Sequence, residues 1–269
     1  MKLNNHRATT LRFFSILIIA AITLFGLCSF KFFGQKDIIN TKEKGFKAIF
    51  NGKNLEGWEG DLTYWRVENG SLVGEVTPET LLKQNSFIIY MKEQPEDFEL
   101  KLEYRISELG NSGINYRSEM MEGKPFALRG YQCDIDGKNR FTGQNYEEKK
   151  RTTLAYMGEK VTIPQMPDSI SKTNLRKNVT KNCWQTRQVT DTIKTKSQLK
   201  SHIKSNDWNK VYLRVKENRM QHYVNGVLMS EVTDSDVVNR TSKGYIGVQV
   251  HVGPPMKVEY RNMMLKILR

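Results

Sequence analysis

Apolar and polar residues alternate with a period of two along much of this 269-residue chain. Phe98, Leu100, Leu102, Tyr104 and Ile106 interleave with Glu99, Lys101, Glu103 and Arg105, as in a strand with one buried and one solvated face. Val211, Leu213 and Val215 repeat the pattern after Trp208, and Ile246, Val248, Val250 and Val252 interleave with Gly247, Gln249 and His251. Asn69-Gly70 and Asn225-Gly226, each between apolar runs, predict two-residue hairpin turns. Val258–Tyr260 and Met264–Leu268 read as a final strand pair. Helical periodicity is scarce, with one short helix expected over Thr80–Lys83.

Many antiparallel strands punctuated by turns predict an all-β protein, a sandwich or jelly roll over residues 47–269. Residues 164–205 break the alternation and read as a basic inserted excursion with a short helix. From Lys150 to Ser205 there are 12 Lys or Arg against three Asp or Glu, so most of the net charge of +13 belongs to this stretch. Trp184 is the only aromatic of the excursion, which argues against single-strand nucleic acid and leaves a solvated surface, an anionic polysaccharide or a membrane surface. Residues 1–30 hold three basic residues and no acid, and Phe13–Phe30 is an uncharged run of 18. This reads as a signal peptide or an N-terminal membrane anchor, with Cys28 raising a lipoprotein alternative; residues 31–46 are a linker. All three place the body outside the cytoplasm, in the periplasm or cell envelope. Cys133 and Cys183 are then a candidate pair in an oxidising compartment. No Gly-rich phosphate loop and no G-x-S-x-G elbow occurs.

Several phrases, in order, resemble one family. They are Phe50–Trp58, Trp65–Leu72, Asn111–Ser118, Gly130–Asp136, Gly247–Gly253 and Tyr260–Asn262. The chain is identified as a member of the 3-keto-disaccharide hydrolase domain family, with Gln132 and Asp134 departing from residues common there. The resemblance implies a concanavalin-like jelly roll and an exported glycan-processing protein acting on sugars oxidised at C3. It implies an oligosaccharide or glycoside substrate and a separate enzyme that installs the ketone, while the missing Gly-rich loop argues against a nucleotide cofactor.

Parity supplies candidate site residues. Gln132, Asp134 and Asp136 share one strand face, Gln249 and His251 another, Glu103 and Arg105 a third, and Asn115 and Arg117 a fourth. If these faces coincide they form a polar groove for a sugar, with Tyr116, Tyr131 or Trp58 for stacking; Trp65 and Trp208 read as core aromatics. A C3 ketone acidifies C2–H, so the site needs a base and an enolate stabiliser. Either His251 or Asp134 is the base, Arg117 supports the oxyanion, and a divalent metal on Asp134, Glu103 and His251 is an alternative stabiliser. Glu103, Arg105, Asn115, Gln132, Gln249, Tyr131 and Trp58 are the substrate-binding candidates. A lectin-like module without catalysis on the same fold is the competing function.

Overall fold

A computed structural model describes residues 44–165 and 187–269. The signal or anchor region, most of the linker and Cys183 lie outside the described residues, among which no helix is long and apolar enough to cross a membrane. Among the described residues, seventeen strands form two sheets packed face to face, with one short helix beside them. Sheet I holds β1 (Lys47–Ala48), β3 (Trp65–Glu68), β4 (Ser71–Val76), β6 (Phe98–Ile106), β11 (Glu159–Ile163), β12 (Gln188–Thr192), β13 (Asn209–Lys216), β14 (Arg219–Val224), β15 (Val227–Asp234) and β17 (Met256–Ile267). Sheet II runs in the order β10 (Thr152–Ala155), β9 (Asn145–Glu148), β8 (Leu128–Asp136), β7 (Asn111–Met120), β16 (Tyr245–Val250), β5 (Ser86–Tyr90) and β2 (Trp58–Glu59). Every pairing is antiparallel except β11 on β15. This is the expected jelly-roll β-sandwich.

The alternation is obeyed where it was plainest. Along β6 the residues are buried and half-buried in strict turn, and Phe98 to Ile106 enter the space between the sheets. Both Asn-Gly pairs make their turns, with positive φ at Asn69, Gly70, Asn225 and Gly226. Two expectations fail. Thr80–Lys83 is not helical; it follows a turn in which Thr80 Oγ1 accepts from Thr77 N–H at 2.9 Å. The last strand pair is one 12-residue strand, β17, with a bulge between Arg261 and Met264 and Asn262 at φ 52°. The bulge shifts the phase, so the chain reads as two strands. The described part of the excursion holds the expected short helix, Lys196–Lys200 (α1), capped by Thr195 and Gln198, and adds a strand, β12, that pairs with β11.

The core is not wholly apolar. Hydrogen bonds cross it between the sheets. Ser112 Oγ meets Tyr260 Oη at 2.6 Å, Tyr116 Oη meets His222 Nε2 at 2.8 Å, and Tyr131 Oη donates to Asp234 Oδ2 at 2.5 Å. Burial pushes His222 down to about 4, so it stands neutral. Beside Tyr131 lies a buried charge cluster. Arg151, in the turn after β9, donates to Glu147 (Nε to Oε2, 2.5 Å) and to Asp234 (Nη2 to Oδ2, 2.5 Å), with Asp236 Oδ2 3.5 Å from Nη1. All four are fully buried. Removing the guanidinium takes its charge partner from Asp234 and leaves Glu147 with Lys150, 3.3 Å away; breaking a buried pair from one side typically costs about 3–5 kcal/mol. Arg151→Met should therefore lower the urea midpoint sharply without changing the slope; an unchanged midpoint would show that the cluster contributes nothing to stability.

Candidate functional site

Each strand of sheet II gives one face to sheet I and the other to the outside. On β8, Tyr131, Cys133 and Ile135 go inward, and Gln132 and Asp134 go outward. Cys133 is a free, buried thiol in the core. On β9, Tyr146 stands opposite Gln132 and so shares the outer face with Glu148; Asn115 of β7 stands opposite Gln132 on its other side. Gly113 is directly opposite Asp134, and a Cβ there would collide with the Gln132 side chain. The missing side chain lets Gln132 lie across β7 and reach Gln249, whose Nε2 donates to Gln132 Oε1 at 3.4 Å.

Asp134 is the centre of this face. Gln132 Nε2 donates to its Oδ1 at 2.6 Å and Gln144 Nε2 to its Oδ2 at 2.6 Å. Burial pushes its carboxyl up to about 7; the charges of Glu148 and Asp136 add to this, and the two amide donors oppose it. Asn115 Oδ1, Gln144 Oε1 and Gln249 Oε1 are buried acceptors without a donor among the described residues.

A cleft of about 730 Å³ opens on the same face. Tyr146, Glu148, Asn85 and His251 line it. Asn85 ties its two sides together, donating from Nδ2 to Glu148 Oε1 at 3.2 Å and accepting the Val252 N–H at 3.0 Å. His251 is half-buried, with Nδ1 2.5 Å from its neighbour's carbonyl at Val252. That contact places a proton on Nδ1 and leaves Nε2 as the basic nitrogen. Burial, with the charges of Glu148 and Asp134, raises the Tyr146 phenol well above its ordinary range, so it stays protonated. The 121–127 loop helps wall the face: Phe126 carbonyl accepts the Phe87 N–H at 2.8 Å, and Leu128 packs on Phe87 and Ile89.

The structure thus brings together Asp134, Gln132, Asn115, Gln249 and His251, and separates the rest. Glu103 and Arg105 lie on the outer face of sheet I, where Arg261 Nε donates to Glu103 at 2.8 Å and Arg105 Nε to Glu259 at 2.7 Å. Trp208 is there too, half-exposed beneath the Arg261 guanidinium at 3.9 Å, not in the core. Asn115 and Arg117 do not share a face. A bulge begins after Tyr116, and Arg117 sits at φ 45°. Its buried guanidinium donates to Glu96 O (2.8 Å), Glu217 O (2.7 Å) and Asp97 Oδ1 (3.0 Å), binding the bulge to turns of sheet I. Tyr131 is in the core on Asp234, and Tyr116 is in the core on His222. Trp58 is buried, with Nε1 donating to Ile49 O at 2.7 Å. A metal on Asp134, Glu103 and His251 does not fit, because the whole sandwich lies between Glu103 and the other two. Among the described residues no group of three His, Cys, Asp or Glu is placed to hold one.

The antiparallel sandwich is a glycosyl hydrolase-like fold. The chain belongs to the 3-keto-alpha-glucoside-1,2-lyase-like domain family, whose pattern matches residues 45–266. No curated protein matches it by sequence. Among solved structures it is similar to a protein of Parabacteroides distasonis provisionally termed a glycosyl hydrolase, at 16% identity and TM-score 0.50, covering 83% of this chain and 99% of that one. It is also similar to the carbohydrate-binding module CBM66 of Bacillus subtilis (15% identity, TM-score 0.47, 78% and 95% covered) and a β-glucanase of Bacillus licheniformis (10%, 0.46, 83% and 97%).

The raised Asp134 has a consequence for stability. Above pH 7 the acid is ionised in both the folded and the unfolded chain, and the fold bears the full cost of the buried charge. Between pH 7 and the ordinary carboxyl value near 4 the folded chain holds the proton and the unfolded chain does not, so falling pH stabilises the fold. Asp134→Asn, with Gln144 turned so that Oε1 accepts, should raise the melting temperature more at pH 8 than at pH 5. An equal effect at both pH values would refute the raised acid.

Proposed function

We propose that this protein is an exported, carbohydrate-active lyase that cleaves glycosides bearing a ketone at C3, with the ketone installed beforehand by a separate sugar-oxidising enzyme. The observation that supports this is the convergence of His251, Tyr146 and Glu148 in one cleft beside a carboxyl held near 7. The ketone makes the C2 proton acidic. His251 Nε2 takes that proton, and the C2–H electrons pass into the C2–C3 bond to leave an enolate on O3. When the enolate collapses, C1–C2 becomes double, the C1–O bond breaks, and the departing oxygen takes a proton from the Tyr146 phenol. Water added across C1–C2 then gives net hydrolysis.

Access favours His251 over Asp134 as the base. Both Asp134 oxygens are occupied by amide donors and the side chain is almost covered, whereas His251 faces the cleft. Asp134 is a positioning residue that fixes Gln132 and Gln144 and sets the charge under Tyr146. Glu148, joined to the His251 strand end through Asn85, has the place of a hydroxyl acceptor.

The full chain should release the aglycone from a 3-keto-glucoside and leave the unoxidised glucoside intact. His251→Ala should lower kcat by about 10²–10⁴-fold. Asp134→Asn should flatten the pH profile near pH 7 with a smaller loss of rate. Sugar binding without release by the wild-type chain would instead identify a carbohydrate-binding module.

A further inference from the structure

The charges around the cleft are unbalanced. Lys83, Lys124, Arg129, Lys149 and Lys150 line it, and Glu148 is the single acid among its lining residues. The outer face of sheet I is built differently. There, Glu103 meets Arg261, Glu259 meets Arg105, Glu99 meets Lys266 and Glu231 meets Arg219, so charges cancel locally. Some cleft cations also have partners: Arg129 donates to Glu119 at 2.8 Å, Lys150 stands 3.3 Å from Glu147, and Lys149 stands 3.6 Å from Glu148. Lys83 and Lys124 have no acidic partner among the described residues, and both are exposed. They come from different loops, β4–β5 and β7–β8, and meet at one cleft.

Like charges brought together from separate loops repel, and the fold gains nothing from their proximity. A cleft lined by one sign of charge focuses its field into the opening and raises the local concentration of ligands of the other sign. We infer that the glycoside taken by this cleft carries an anionic substituent, a carboxylate or a sulfate, which Lys83 and Lys124 receive. The inference rests on the reading of the cleft as a sugar site, and it names the substrate class. Its volume of about 730 Å³ accommodates a disaccharide with such a group.

Binding of unoxidised disaccharides to the full chain tests this without requiring turnover. The probes are a neutral disaccharide, its 6-carboxylate and its 6-sulfate, titrated calorimetrically at low and high salt. At least one acidic probe should bind roughly tenfold more tightly than the neutral one at low ionic strength, with the ratio shrinking as salt is added. The carboxylate and sulfate arms decide which group is preferred. In the Lys83→Ala/Lys124→Ala variant the ratio should fall towards one, whereas Arg214→Ala, on the outer face of sheet I, should leave it unchanged. Melting temperatures of both variants guard against misfolding. Equal affinity for all three probes, or a preference that survives loss of both lysines, overturns the inference. A charge preference without release of aglycone from a 3-keto substrate refutes only the lyase; release without a charge preference refutes only the anionic substrate.

Discussion

Arg151 makes the strand that carries half of the cleft possible. β9 is polar on both faces: Tyr146 and Glu148 point out, while Asn145 and Glu147 point between the sheets. A carboxylate cannot be buried there alone. The guanidinium in the turn three residues after β9 supplies the compensating charge, and it also reaches Asp234 at the end of β15 in the opposite sheet. This cation, with Lys150 3.3 Å from Glu147, satisfies that carboxylate, closes the two sheets at this end, and holds β9 in the phase that turns Tyr146 and Glu148 outward. A shift of one residue would exchange those faces and put Glu147 and Asn145 in the cleft.

The same phase rule sorts the rest of the molecule. On β8 it gives Tyr131 to the core and Gln132 and Asp134 to the site. On β7 the bulge interrupts it, and Arg117 leaves the outer face to hold three acceptors on turns of sheet I. Its left-handed backbone conformation is costly for a side chain of that size, and those bonds offset the cost. Arg117 is a clamp between the sheets, so charge stabilisation in the cleft falls to other groups.

Much of this was legible in the sequence. The period-two runs, the Asn-Gly turns and the ordered family phrases suffice for the sandwich, and parity correctly groups Gln132 with Asp134 and Gln249 with His251. Parity says which residues share a face of one strand. It does not say which faces of two strands coincide, and that is why Glu103 and Arg105 entered the groove on paper and lie across the sandwich in the fold. Bulges defeat it too, since a single inserted residue reverses the phase after Tyr116 and again after Arg261. Tyr146 and Glu148 were missed because a charged residue, Glu147, occupies the buried phase of β9 and hides the alternation. Gln144, Tyr146 and Glu148 do alternate, and the signal needed was the cation at Arg151 that permits an inward Glu.

The two charge populations of the cleft are compatible because they lie in different media. The lysines at its mouth are exposed, where water and salt screen them over about 8 Å. Their pull on Asp134 is correspondingly weak, and burial, which acts on that carboxyl directly, prevails and holds it near 7. Below that value the carboxyl buried beside Tyr146 is neutral and adds nothing to Glu148 in opposing an anion drawn in by the rim. Above it that carboxyl adds a negative charge in a poorly screened position, behind the lysines of the rim. An acidic ligand would then meet attraction at the entrance and repulsion within, so proton uptake at Asp134 and anion binding favour each other, and reciprocity requires that a bound anion raise the Asp134 value further.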